Sequence, residues 1–299
     1  MKYFIARGEH RRLSPCTRRE LRGRFAQCSD GVTHYELTGP ETGELVLLTG
    51  GLTVPLFYWD QLADELHRRG FRTLAVSGYG RGYSDRPRAV YDEALFVRQL
   101  SDLTTELGLI ERWHVMGASM GALVALAVTE QHVKQTATLT VIGPAGLESK
   151  LPVGAKLLRQ QWLGALLGKY LGSRLLEKHL SHNVRDAEQS AALSAMVREC
   201  YVFEGSMYAL VSTLADFPLV SRQDLYARAG RSGVPSLLLW GAEDRVTPIN
   251  RLNEVRNLLC PVEWHVIEEC GHMVPYERAS NVAAKFNAFA QRAKEQVQR

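Results

Sequence analysis

The sequence predicts an α/β domain: a mostly parallel central sheet with helices on both faces, interrupted by an inserted helical cap. Three observations predict it. Short strand-like runs recur at residues 44–48, 72–76, 113–118, 138–142, 236–240 and 263–267, and the run 44–48 is largely continuous in its apolarity. Continuous rather than alternating apolarity marks strands buried on both faces, as in a parallel sheet. Helix-forming stretches separate most of these runs, the pattern whose crossovers cover both faces of a sheet. Finally, residues 147–225 contain no such run and read as helix.

A chain of 299 residues suffices for one such domain with an insertion. The expected division is a basic arm over 1–24, a core over 25–146 and 226–299, and a cap over 147–225. Hydrophobic residues make up 45% of the chain, enough for a sizeable core, and 23% are charged, which is ordinary. The net charge of +4 is uneven: residues 1–24 carry eight Lys/Arg against two Asp/Glu, and the rest balances to −2. Such an arm is able to touch nucleic acid or an anionic membrane. The plainer reading is a solvated, partly mobile terminus with no nucleic-acid partner. The five cysteines, Cys16, Cys28, Cys200, Cys260 and Cys270, are odd in number and show no CxxC or zinc spacing. They read as reduced thiols of a cytoplasmic protein without a metal. Tyr3-Phe4-Ile5-Ala6 is broken by Arg7, so no signal peptide is expected, and no run of about 18 apolar residues predicts a membrane span. Composition leaves a homo-oligomer open.

The elements follow in order. Two β-prone runs flank Ser29-Asp30-Gly31, a hairpin signal. The run 44–48 ends in Thr49-Gly50-Gly51-Leu52-Thr53. A helix is expected over 59–69, stopped by Gly70. The strand 72–76 leads into a turn-rich loop, 78–87, and a helix over 93–107. In the insertion, 156–176 reads as one or two helices with Leu157, Trp162, Leu163, Leu166, Leu167, Tyr170 and Leu171 as an apolar stripe. Gly164, Gly168 and Gly172 at four-residue spacing point to a tight helix contact. A second helical region covers 187–214. After the strand 236–240, Thr247 and Pro248 read as N-cap and first residue of a helix. A last helix is expected over 276–297. No phosphate-binding loop, nucleotide fingerprint or metal spacing is present, so no cofactor is expected.

The stretch that carries chemistry is Gly117-Ala118-Ser119-Met120-Gly121. A strand, Gly-x-Ser-x-Gly and a small-residue helix make a nucleophile elbow, a turn so sharp that the serine sits in strained backbone geometry. It lifts the Ser119 hydroxyl clear of the sheet and aims the first N–H groups of the helix, Met120 among them, at whatever Ser119 attacks. A serine needs a base, and the base needs an acid to hold its tautomer. Both belong on loops at the carboxyl ends of later strands. The 236–240 strand ends in Gly241-Ala242-Glu243-Asp244, and the last strand ends in Glu268-Glu269-Cys270-Gly271-His272. Ser119, Asp244, His272 is therefore the expected set; Glu243 and, more remotely, Asp216 are the alternatives for the acid.

These motifs, with Gly80-Arg81-Gly82-Tyr83-Ser84-Asp85-Arg86-Pro87 before the elbow, resemble the α/β-hydrolase superfamily from about residue 30 to the C-terminus. The resemblance favours Asp244, four residues after Trp240, and implies a cap that roofs the substrate site. It implies a second oxyanion donor in the loop after the first parallel strand, best matched by the Leu52 N–H beside that of Met120. The family usually carries His-Gly there; Gly50 stands in place of the His, which is expected to loosen the loop. Gly51 and Thr53 of this loop, and Trp162, Met207 and Tyr208 of the cap, are the expected substrate contacts. Relatives that open epoxides or remove halides use Asp at the elbow, so Ser119 implies acyl transfer. The Ser-Gly-Pro-Gly style loop of C–C bond hydrolases is absent, although this does not exclude such cleavage. The expectation is hydrolysis of a carboxylic ester, lactone or thioester of a small apolar molecule. The alternatives are an acyltransferase, lyase or cyclase with the same residues, or a slow-turnover binding protein.

Overall fold

A short helix, α1 (Pro15–Arg19), precedes an antiparallel hairpin of β1 (Arg24–Cys28) and β2 (Gly31–Thr38) in this computed structural model, which describes residues 1–148, 160–180 and 184–297. Alternation then begins: β3 (Leu45–Thr49), α2 (Asp60–His67), β4 (Arg72–Val76), α3 (Glu93–Glu106), β5 (Trp113–Ala118), α4 (Met120–Gln131) and β6 (Thr136–Ile142). The insertion supplies α5 (Gln161–Leu180), α6 (Ala187–Cys200) and α7 (Ser206–Asp216), followed by α8 (Gln223–Gly230). The core resumes with β7 (Ser236–Gly241), α9 (Leu252–Leu259), β8 (Glu263–Ile267), α10 (Val274–Glu277) and α11 (Ala279–Val297).

The eight strands form one sheet in the order β1-β2-β4-β3-β5-β6-β7-β8. Only β2 runs antiparallel to its neighbours; all pairs from β4 to β8 are parallel. The central strands β3, β5 and β7 are buried at every position, as their continuous apolarity requires. Side chains alternate between two cores with period two. Leu45, Leu47, Val115, Leu238 and Trp240 join one core with α3, α4, α8 and α9. Val46, Leu48, Met116, Leu237 and Leu239 join the other with α2 and α11.

Several expectations are corrected. The helical region 187–214 holds two helices, α6 and α7, separated where Gly205 adopts φ 85°. The last helix is also two, broken at Arg278. Thr247 and Pro248 do not start a helix; a 3-10 turn, Ile249–Arg251, leads into α9, and Thr247 serves the loop before it. The expected helix start at 156–159, with Leu157, lies outside the described residues. By packing, α8 belongs to the core, burying Leu225, Tyr226 and Ala229 there.

The larger correction concerns the arm, which is packed against the cap and the core. The Arg7 N–H donates to the Lys169 carbonyl on α5 (3.2 Å), and the His10 and Arg11 N–H groups donate to Val202 (2.8 and 3.1 Å). Glu9 accepts from the Gly205 and Met207 N–H groups (3.0 and 2.6 Å), capping α7 with a carboxylate where the helix dipole favours one. Arg18 reaches Asp85 (2.6 Å), and Arg22 bridges Glu36 and Asp60 (2.8 and 2.6 Å). The charge count reads as solvation because partners this far away in sequence leave no local signal.

His34 on β2 links this strap to the loop after β3. Its Nε2–H donates to the Arg22 carbonyl (2.9 Å), so Nδ1 accepts from the Ser77 hydroxyl (3.0 Å). Ser77 Oγ in turn accepts the Leu56 N–H (2.9 Å). Burial pushes the His34 imidazole down to about 3, well below its ordinary value. The folded protein therefore keeps His34 neutral while the unfolded chain protonates it below pH 6.5, so this contribution is present at neutral pH and lost as the pH falls. Denaturant unfolding should show about 2 kcal/mol lost through this group between pH 7 and 5. His34→Gln, which keeps a donor for Arg22, should have a shallower decline; an unchanged slope would refute the assignment.

Candidate active site

Ser119 occupies the turn between β5 and α4 with φ 57° and ψ −122°. A non-glycine residue there is strained and must be held by its surroundings. Its N–H donates to the Ile142 carbonyl (3.0 Å), and its carbonyl accepts from Ala122 and Ala145 (3.1 and 3.2 Å). Gly117 and Gly121 permit the turn: a Cβ on Gly117 would overlap the Gly121 carbonyl, and one on Gly121 would overlap the Thr49 carbonyl.

The loops after β7 and β8 bring Asp244 and His272 to this serine. The Ser119 hydroxyl lies 2.9 Å from His272 Nε2, and His272 Nδ1 lies 2.8 Å from Asp244 Oδ2. Both the imidazole and the acid are buried. Asp244 Oδ1 accepts from the Val246 and Thr247 N–H groups (2.9 and 2.8 Å). Thr247 Oγ1 lies 2.8 Å from Asp244 Oδ2 and 3.0 Å from the Gly143 carbonyl, so one hydroxyl proton serves both acceptors. The carboxylate faces Nδ1, which makes Nδ1 the donor and leaves Nε2 to accept. Glu243 instead pairs with Arg185 at 3.2 Å, and Asp216 accepts from Ser212 on its own helix.

Glu277 has no role in the sequence reading. This buried carboxylate, at the end of α10, accepts from the N–H groups of Gly271 and Met273, both at 3.1 Å, the two residues that flank His272. It also accepts the Arg185 N–H of the cap (3.0 Å). The one available signal is a charge closing the otherwise uncharged run 270–277.

On the opposite side, the loop after β3 lies against Ser119; a Cβ on Gly51 would come within 3.3 Å of Ser119 Cβ. Leu52, Thr53, Ser119 and His272 share a cavity of about 10 Å³, room for about one water. Met120 opens α4, so its N–H has no intrahelical acceptor. Arg81 holds the loop: its guanidinium donates to the carbonyls of Leu52 and Tyr79 (both 2.8 Å) and to the Thr213 hydroxyl on α7 (2.9 Å). Burial lowers its pKa. Tyr58 also lines the cavity; its hydroxyl, buried without a partner among the described residues, has its pKa raised by desolvation.

Of the expected substrate contacts, Gly51 and Thr53 line this cavity. The structure does not bring the other three to it. Trp162 faces solvent from α5. Met207 packs on Gly172, and Tyr208 packs among Tyr3, Phe4 and Tyr91 with its hydroxyl on the Ala89 carbonyl (3.2 Å). A larger cavity, about 990 Å³, is an open, charged groove between α2 and α11, away from Ser119. Among the described residues, no group of three His, Cys, Asp or Glu could hold a metal ion.

Comparison with known proteins gives a family model, described as alpha/beta hydrolase fold, that matches residues 44–279. The chain is 25% identical over 268 residues to a 2-hydroxy-6-oxononadienedioate/2-hydroxy-6-oxononatrienedioate hydrolase of Cupriavidus pinatubonensis, covering 86% of this chain and 91% of that one. It is 24% identical over 269 residues to an N-formylmaleamate deformylase of Pseudomonas putida, covering 87% and 94%. Among solved structures, a thermophilic esterase from Thermogutta terrifontis superposes with a TM-score of 0.77 at 20% identity, over 91% of this chain and 99% of that one. At that identity the likeness is one of fold.

Glu277→Gln keeps the shape but offers an amide to one side of a three-donor cluster. It should cost about 1–3 kcal/mol of stability, as unsatisfied buried donors do. Modification of Ser119 by a fluorophosphonate should slow at a temperature where the variant is folded. Melting and labelling rates equal to wild type would show that Glu277 does not hold the His272 loop.

Proposed function

We infer the reaction from a plain premise: the chain belongs to the alpha/beta hydrolase fold family, and it is a hydrolase of that fold. Within that class we propose that it cleaves a carboxylic ester, with lactones and thioesters in the same range, through an acyl-enzyme. The observation that supports this most is the unbroken line of hydrogen bonds from the Ser119 hydroxyl, on its strained turn, through His272 to a buried Asp244.

Ser119 Oγ attacks the carbonyl carbon while its proton passes to His272 Nε2. Asp244 keeps the Nδ1 proton in place and stabilises the imidazolium without taking that proton. The oxyanion sits between the Leu52 and Met120 N–H groups, which cost no reorganisation when charge develops. His272 then returns its proton to the leaving alcohol, and the C–O bond breaks. Water enters, gives a proton to the same Nε2 and attacks the acyl carbon; the bond from that carbon to Ser119 Oγ then breaks as His272 returns the proton to Oγ, which releases the acid and restores Ser119. Leu52, Val54 and Met273 at the cavity support a small apolar substrate.

A second reading follows from the relatives' names. A dienedioate hydrolase and a deformylase match most of the chain, so the same serine acting on a bond other than an ester is the alternative. We further propose the cytoplasm as its compartment: the described chain has five free cysteines, and no described helix is long and apolar enough to cross a membrane.

The test is a panel of nitrophenyl esters, lactones, thioesters, amides and vinylogous diketones on purified protein. Esters should be turned over fastest. Ser119→Ala should lose about a thousandfold or more, and Asp244→Asn up to about 10⁴-fold, in kcat. Equal rates in wild type and Ser119→Ala would end the assignment, and a preference for the diketones would favour the second reading.

A further inference from the structure

The cap helix α5 is inverted relative to an ordinary surface helix. Glycines at four-residue spacing form its inner face. A Cβ on Gly168 would overlap Phe4 of the arm and Val211 of α7, and one on Gly172 would overlap Met207. Trp162, Leu166 and Tyr170 repeat at the same spacing but two residues out of step, which on a helix is the opposite side. They are 71%, 50% and 50% exposed, and the neighbouring Leu171 is 41% exposed. An amphipathic helix normally turns its large apolar residues inward. Here the close approach uses the glycine face, and a ridge about 13 Å long is left in solvent. Single exposed apolar residues are ordinary, whereas a contiguous ridge marks an interaction surface.

The ridge is flanked by cations. The Arg7 guanidinium lies 5.4 Å from the centre of the Tyr170 ring, and the Lys169 ammonium lies 5.7 Å from it. Arg7 is held there by its backbone bond to α5, so the basic arm runs beside the ridge. The acid nearby, Glu177, is paired with Arg198 at 3.5 Å.

We propose that this face of α5, with the arm beside it, docks on an anionic phospholipid surface. Trp, Tyr and Leu beside Lys and Arg is the arrangement of a helix lying in a membrane interface, rings at headgroup depth and cations on phosphates. A second copy of the chain fits less well. A two-fold contact places the same patch on both sides, so Arg7 and Lys169 of each copy would meet their like. An anionic bilayer neutralises them instead, and the cytoplasmic leaflet carries that charge.

The test uses the full chain with extruded vesicles of phosphatidylcholine and phosphatidylglycerol, 1:1, against pure phosphatidylcholine, in low salt. Flotation should show at least tenfold tighter binding to the anionic vesicles, weakening as salt rises. Brominated acyl chains should quench tryptophan emission in the wild type and much less in Trp162→Phe. Leu166→Asp with Leu171→Asp should lose binding tenfold or more, and Arg7→Glu with Lys169→Glu should lose the preference for phosphatidylglycerol. All four altered side chains face solvent, so unfolding midpoints should match wild type, and a variant that melts early is replaced by Leu166→Ser alone. Absence of wild-type binding to anionic vesicles would overturn the proposal. So would undiminished binding by a folded Leu166 variant. Light scattering that shows a dimer made monomeric by Leu166→Asp would assign the ridge to a second copy instead.

Discussion

The first turn of α4 lies backbone to backbone against the ends of β5 and β3, and the geometry of the site depends on that approach. Side chains at positions 117 and 121 would overlap the Gly121 and Thr49 carbonyls. With them absent, α4 starts one residue after β5 ends, and Ser119 is forced to φ 57°. Such a conformation costs on the order of 1–3 kcal/mol. The cost is met by burial: residues 120–129 of α4 are all buried between the sheet and its neighbours. The helix cannot slide outward to relax Ser119 without exposing that surface, so packing far from the hydroxyl fixes where the hydroxyl points.

Around that fixed point, charge is handled by backbone groups rather than by ion pairs. Asp244 and Glu277 are buried carboxylates whose described hydrogen-bond donors are N–H groups, a hydroxyl and an imidazole. The guanidiniums of buried Arg81 and half-buried Arg86 bond to carbonyls and hydroxyls. Paired with each other, opposite charges would be insensitive to the loops around them. Bonded to backbone, each charge orders a loop. Glu277 orders both neighbours of His272 and reaches Arg185, while Arg81 orders Leu52 and reaches Thr213. The cap is thereby tied to the loop of His272 on one side and the loop of Leu52 on the other.

These ties separate what was legible in the sequence from what was not. The strands were legible because a two-sided burial site selects apolar residues without a break, a local signal. Ser119, Asp244 and His272 were legible because each closes a strand with residues the turn itself requires. Glu277 and Arg81 were not, because their partners are backbone atoms of other segments, which any sequence supplies. The arm, expected to be solvated, shows the same limit: its ion pairs span 14 to 192 positions, such as Arg22 with Glu36, Arg18 with Asp85 and Arg12 with Glu204. Orientation failed differently. The apolar stripe of α5 was correctly composed, but glycines at the same period allow a closer approach than leucines do, and the face with the closer approach became the inside.

Gly50 shows how a departure from a familiar pattern is absorbed. Without a side chain at position 50, the loop has no brace of its own, and looseness is the natural expectation. A Cβ there would sit 3.0 Å from Val54 Cγ2 and 3.7 Å from Trp59 Nε1, so those two side chains have closed over the space. The bracing has moved to other atoms. Ser77 Oγ accepts the Leu56 N–H, Arg81 Nε donates to the Leu52 carbonyl, and both are backed by buried neighbours: His34 behind Ser77 and Thr213 behind Arg81. This bracing holds the loop to β2 and the arm through His34, and to the cap through Thr213. The loop that carries the Leu52 N–H is therefore positioned from β2, the arm and the cap together, and the position of that N–H becomes a property of the assembled fold.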